Sequence, residues 1–237
     1  MRLAKVHRFE AHGTRQARSQ CRAGDRFRFH EARGAGAVQA LVRPMSAPQI
    51  DPILRDIPDA FASSRLRIRA PRAGDGQIVF DAIRESIADL RRFPASLSWA
   101  LAEPSLDAAE KYCREAYSNF LMRRDLPLLL LLKDTDVVVG SSGLHRMNWA
   151  VPKFEVGFWG RSSFQGKGYA TEGVAAIVEF AFGTLGARRV EAFPDEANDR
   201  SCKVCERVGL TLEGTLRNER IDPDGTLRNT RVYARIQ

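Results

Sequence analysis

The stretch QGKGYATEGVAAIVEFAFGTLG, residues 165–186, constrains this chain more than any other. Val174, Ile177, Val178, Ala181, Phe182 and Leu185 recur at the three-and-four spacing of an α-helix buried along one face. Gly186 follows as a stop signal. Directly before the helix stand two glycines around a lysine. A glycine loop leaves the first N–H groups of the following helix without partners. Those donors and the positive end of the helix dipole form an anion site. Glycine also lets a large ligand approach the backbone and accepts left-handed dihedrals. Gln165, Gly166, Lys167, Gly168, Tyr169 and Ala170 therefore read as a pyrophosphate cradle, with Lys167 adding charge at its rim. Taken alone, the same residues also fit an ordinary strand–helix turn.

The ligand is neither of the two commonest. The Walker pattern fails because Gly168, not Ser or Thr, follows Lys167. The Rossmann fingerprint lacks its third glycine, and the preceding strand does not belong to a parallel repeat.

Around the cradle the chain reads as a mixed α/β (α+β) domain over residues 65–237. Leu66 and Ile68 alternate with arginines, as in a short strand. A helix opens at Asp75–Gly76 with Val79, Ala82, Ile83, Ser86, Ile87 and Leu90 on one face, and a second runs from about Ser105 with Ala109, Tyr112, Cys113, Ala116 and Phe120 inward. Residues 126–132 and 136–144 read as strands joined by a polar turn, and Phe154, Val156 and Phe158 mark another. After the cradle helix come a strand at 188–193 and a short helix capped at Asn198 and stopped by Gly209. A terminal hairpin turns at Asp224–Gly225. The expected sheet is twisted, mostly antiparallel and flanked by helices.

Charge divides the chain. Of the net charge of +8, ten Lys/Arg against three acids lie in residues 1–50, so the rest is nearly neutral and gives no reason to expect a nucleic-acid groove. Residues 1–60 read as a disordered basic extension without a packed core. It fits an RNA-binding arm, a transit peptide, or sequence upstream of a true start at Met45, and the last fits best because a polar, Pro-containing lead-in follows Met45. The longest aliphatic run, Leu128–Leu132, is far below the ~20 residues of a membrane span. Four cysteines without framework spacing point to a reducing, cytoplasmic compartment. Cys202-Lys-Val-Cys205 has redox or zinc spacing but no second pair, so it reads as helix packing and no metal site is expected.

In its motifs the chain resembles the GNAT acyltransferases. Gln165 through Ala170 matches their Q/R-x-x-G-x-G/A signature for the pyrophosphate of acetyl-coenzyme A. FEVGFWG before the loop, Asn198 and Ser201 leading to Gly209-Leu210, Glu213-Gly-Thr-Leu-Arg217 and Asp224-Gly225 look like the Rim-type branch, the ribosomal-protein N-terminal acetyltransferases. Gly173 departs from the alanine usual there and is expected to weaken the first helical turn slightly. Leu210 and Asn229 are the other departures.

The resemblance implies acetyl-CoA as co-substrate, no metal, and direct transfer of acetyl to a primary amine. A protein N-terminus is the leading acceptor. A small amine (amino sugar, polyamine or antibiotic) is the alternative, and a non-catalytic acyl-CoA sensor is a third reading. By resemblance Glu155 faces the acceptor cleft as base, with Glu191 in reserve. Asn198 and Ser201 lie against the pantetheine arm, with Ser201 the partner of the leaving thiol. Backbone N–H groups between Phe158 and Arg161 would receive the oxyanion if a bulge freed one. Acceptor contacts are expected from residues 90–125 and 145–153, with Trp159 at the wall, while His145, Trp149 and Tyr233 read as structural. Monomer and homodimer fit equally.

Overall fold

The computed structural model describes residues 50–237. The N-terminal segment discussed above lies, up to residue 49, outside the described residues. Eight strands form one sheet: β1 (Ala60–Ala62), β2 (Leu66–Arg69), β3 (Leu126–Leu132), β4 (Val138–Asn148), β5 (Lys153–Gly160), β6 (Arg189–Ala192), β7 (Thr211–Ile221) and β8 (Leu227–Ile236). Their spatial order is β1-β2-β3-β4-β5-β6-β8-β7. Four helices flank it: α1 (Gly76–Leu90), α2 (Leu106–Leu121), α3 (Tyr169–Gly183) and α4 (Asp199–Arg207). The mixed, mostly antiparallel sheet expected from the sequence is present.

Strand β3 shows why the layers stack as they do. Its sequence, LPLLLLL, is apolar on both faces, so both must be covered. Leu126, Leu128 and Leu130 join the core beneath α3, while Leu129 and Leu131 join a second core with Val79, Ala82, Ala109 and Cys113 from α1 and α2. The period of two assigns alternate leucines to opposite layers.

Only β5 and β6 pair in parallel, and a parallel neighbour requires a crossover, here α3. That pairing covers Lys153–Glu155 alone. Beyond it β5 continues to Gly160 beside β4 while β6 diverges, so the sheet opens into a wedge. α3 begins at the mouth of this wedge. Gly173 sits where a Cβ would lie 2.6 Å from Leu130 Cδ1. The glycine that costs the helix propensity thus lets it approach the sheet.

Three expectations need correction. β4 runs on to Asn148, so His145 belongs to the strand and is the cross-strand partner of Glu155. Tyr112 is not inside the core: it is 39% exposed, because it borders a cavity. No bulge interrupts β5 at Phe158–Arg161; the register shift against β4 lies between His145 and Asn148. Tyr233 is fully buried in the core, and Trp149 packs on Phe154 with its Nε1–H donating to the Arg123 carbonyl at 3.1 Å.

Candidate active site

Gly166 and Gly168 adopt left-handed φ of +74° and +79°, which explains the two glycines before the helix. No side chain caps α3 at Gly168. The first helical bond runs from Glu172 N–H to the Gly168 carbonyl at 3.0 Å, so the N–H groups of Tyr169, Ala170 and Thr171 have no helical partner. Glu172, the acid of the first turn, does not close the site. Its carboxylate turns to β2 and accepts from Ser63 Oγ at 2.7 Å and from Arg65 at its N–H and Nε, 2.7 and 2.6 Å.

Arg65 also donates to the Lys167 carbonyl at 3.0 Å and stacks over the Tyr169 ring at 4.4 Å. The loop is thereby pinned from behind. A second set of ties reaches α1. Ser162 N–H donates to Ser86 Oγ at 3.0 Å, Ser163 N–H to Glu85 at 2.9 Å, and Ser162 Oγ and Gln165 Nε2 to Asp89 at 2.6 and 3.1 Å. Hydrogen bonds from Ser163, with Arg161, hold the Glu85 carboxyl down to about 2.

These ties shape a cavity of about 800 Å³ lined by Gln165, Gly166, Gly168, Tyr169, Ala170 and Thr171 on one side and Asn198, Ser201, Lys203 and Arg207 on the other. Lys167 is not in the lining. Its Nζ folds back onto the Ser163 carbonyl at 3.0 Å and the Phe164 ring. Asn198 caps α4 as expected, its Oδ1 accepting from Ser201 N–H at 3.2 Å, and Ser201 faces the cavity. The N-terminus of α4 is held by the buried Asp195, whose carbonyl accepts from Asn198 N–H and whose carboxylate takes both Arg228 nitrogens at 2.8 Å. Cys202 and Cys205 are buried on the inner face of α4, and burial pushes the Cys205 thiol up to about 12.

A second cavity of about 560 Å³ lies on the other face of the sheet, between α1, α2 and strands β3–β5. It contains Glu155, His145, Trp99, Tyr112 and Trp159. The two cavities share Leu97, Phe158 and Trp159, so they meet at the wedge. There the backbone supplies donors without a bulge. Arg161 N–H donates to the Val139 carbonyl of β4 at 2.9 Å. Alternation along the strand then turns the N–H groups of Phe158 and Gly160 the other way, where β6 has diverged.

Glu155 forms an ion pair with the exposed Arg146 through one carboxylate oxygen. His145, beside it in register, has Nδ1 3.5 Å from Asp125 Oδ1. Glu191 lines neither cavity. Lys153 Nζ and Arg189 Nε occupy its two oxygens at 2.9 and 2.7 Å. The cavity wall includes residues between 96 and 112, inside the 90–125 range read for acceptor contacts; His145 is the sole contributor from 145–153, and α1 supplies Val79, Phe80, Ile83 and Ile87, of which the sequence marked Val79, Ile83 and Ile87 only as one face of a helix.

A sheet opened between two parallel strands, with an uncapped helix N-terminus at the opening, defines a fold with a ready-made anion site at that opening. A family model described as "Acetyltransferase (GNAT) domain" matches residues 65–211, and the chain belongs to that family. It is 33% identical over 79 residues to YdaF of Bacillus subtilis (strain 168), provisionally named a ribosomal N-acetyltransferase, covering 33% of this chain and 43% of that protein. The chain spans about half the length of the curated relatives it matches. Among solved structures, the microcin C7 self-immunity acetyltransferase MccE, in complex with acetyl-CoA and AMP, superposes with a TM-score of 0.67 at 18% identity, covering 76% of this chain and 98% of that one. RimL, a ribosomal L7/L12 α-N-protein acetyltransferase in complex with coenzyme A, gives 0.66 at 20% identity, covering 76% and 97%. At such identities the likeness is one of fold.

Proposed function

We propose that this protein is an acetyl-CoA-dependent N-acetyltransferase that transfers acetyl directly to a primary amine, with a protein N-terminus as the leading acceptor. The observation that carries it is the meeting of two cavities at Phe158 and Trp159, one floored by the uncapped start of α3 and the other holding Glu155.

The uncapped N–H groups of Tyr169, Ala170 and Thr171 bind the pyrophosphate. Asn198 and Ser201 flank the pantetheine arm, and the free edge of β5 aligns it in the wedge. Bound there, the co-substrate supplies an activated thioester carbonyl. An α-amine has an unperturbed pKa of about 8, so part of it is neutral near that pH and attacks without prior activation. As the C–N bond forms and the C–S bond breaks, Glu155 takes the proton from nitrogen, directly or through water. A backbone N–H of Phe158 or Gly160 receives the developing oxyanion. The Ser201 hydroxyl donates to the departing sulfur. Glu191 is a poorer base because both its oxygens are already held by cations.

Family membership and the likeness to YdaF support the acceptor class. The free thiols of Cys113, Cys202 and Cys205 accord with a cytoplasmic setting. Among the described residues, no helix is long and apolar enough to cross a membrane.

The test is thiol release from acetyl-CoA by the full chain, with short peptides set against a panel of small amines. Peptide-dependent release that disappears in Glu155→Gln supports the reading. Coenzyme A binding without release to any amine leaves a sensor, and loss of binding altogether removes the cradle argument.

A further inference from the structure

The second cavity is large for the amines of small residues. Its walls are aromatic and aliphatic: Phe80, Trp99, Tyr112 and Trp159 with Ile83 and Leu129. Trp99 and Trp159, both in the lining, stand 6.3 Å apart at a tilt of 51°. Trp99 and Tyr112 remain 45% and 39% exposed, which is unusual for large side chains unless something covers them. Burial pushes the Tyr112 hydroxyl up to about 12, so it stays neutral.

The charges are equally one-sided. Glu103 and Glu155 are the charged groups of the lining, with His145 beside them; their ion-pair partners, Arg91 and Arg146, stand outside it. An ammonium group is attracted to such a site. A carboxylate or phosphate is not, because it would lose its water beside two carboxylates, in a lining that holds no lysine or arginine. Polyhydroxylated amines would leave many hydroxyls facing hydrocarbon. Glu155, in the last residue pair before β5 and β6 part, draws the nitrogen towards the wedge, and the body of the molecule then extends into the apolar chamber.

We infer that the acceptor is a primary amine attached to a bulky aromatic or aliphatic group and bearing no anionic group nearby. This rests on the transferase reading and refines it. The same chemistry comes from two sources: a polypeptide whose first side chain is large and apolar, or a free arylalkylamine. On this inference Ser, Ala and Thr N-termini are the poorer substrates, since they leave the chamber filled with water.

The experiment compares kcat/KM of the full chain for peptides beginning with Phe, Leu, Ala, Ser and Asp, and for phenethylamine, hexylamine and free phenylalanine. Isothermal calorimetry of phenethylamine binding to the coenzyme A-loaded protein runs alongside. Phe- or Leu-peptides, or phenethylamine, are expected to exceed the Ala- and Ser-peptides by at least about tenfold. Free phenylalanine, which adds a carboxylate beside the nitrogen, is expected to fall well below phenethylamine. Success with peptides alone assigns the polypeptide source, and success with free amines alone the other. Ala108→Phe narrows the chamber from an exposed position on α2, and Trp99→Ala removes an exposed wall. Both are expected to lower kcat/KM for the bulky amines more than for the Ala-peptide. Preferred turnover of Ala- or Ser-peptides, or of free phenylalanine, overturns the inference while the transferase reading stands. Phenethylamine binding without transfer to any amine upholds the chamber and overturns the transferase reading. Neither binding nor transfer overturns both.

Discussion

The two cavities that meet at Phe158 and Trp159 are built in opposite ways. The larger has a backbone floor: left-handed glycines, the uncapped first turn of α3 and the free edge of β5. The smaller is made of side chains, drawn from α1, α2 and three strands. Backbone donors suit a ligand that is always the same, since they stand in place whatever the surrounding side chains. A side-chain chamber takes its selectivity from volume and charge. On the proposed function, the first is a general device for an activated acyl carrier and the second a particular one for the amine.

The largest effect should come at the junction. Glu155→Gln is expected to lower kcat about 100-fold or more, the range of a lost general base. Calorimetry with coenzyme A should show little change, because Glu155 lines only the smaller cavity. Weakened coenzyme A binding would break the division of labour between the two regions. Gly168→Val tests the other side. A branched residue at φ +79°, with Arg65 Nη2 3.4 Å from its Cβ, is strained by about 1–3 kcal/mol, so coenzyme A affinity should fall roughly tenfold to a hundredfold. If affinity holds, the backbone is not the cradle. Ser201→Ala is expected to lower kcat about tenfold at the sulfur end, and the loss should shrink with thioesters of more acidic thiols, which leave without a proton. Equal loss with every thioester would restrict Ser201 to packing.

Two smaller effects probe how the cradle is held. Gly173→Ala gains about 1 kcal/mol of helix propensity, yet its Cβ meets Leu130, which is fully buried. A net loss near 1 kcal/mol in urea unfolding is expected, and a gain would show that Leu130 yields. Glu85 ties the loop before the cradle to α1, and its folded value of about 2 lies below the ordinary 4.5. A depressed carboxyl stabilises above about 4.5 and loses that contribution as the pH falls towards 2. Glu85→Gln should therefore be less stable than the parent at pH 7, and the gap should narrow from pH 4.5 downward in thermal melts. A constant gap would assign the effect to geometry rather than charge.

Much of this was legible before any coordinates. The 3.6-residue period of α3, the glycines ahead of it, the Asn198 cap, the apolar run of β3 and the terminal hairpin depend on residues near one another in the chain, and local sterics and hydrogen bonding dictate them. The cradle is a single contiguous stretch, so its chemistry could be read from spacing alone. Other features join residues far apart. Arg65 and Glu172 meet across 107 positions, and Glu85 meets Ser163 across 78. His145 reaches the site because β4 continues in antiparallel register beside Glu155, a match no local signal carries. The proposed oxyanion donors, Phe158 and Gly160, are free of β6 because β5 and β6 part after three residue pairs, and no bulge is needed. Burial of α1 and α2 against Leu129 and Leu131 leaves Trp99 and Tyr112 uncovered at the smaller cavity. Periodicity along the chain thus determined the elements and the anion cradle. Where strands separate and which side chains then face one space were decided by packing, because those depend on contacts between segments that sequence distance does not encode.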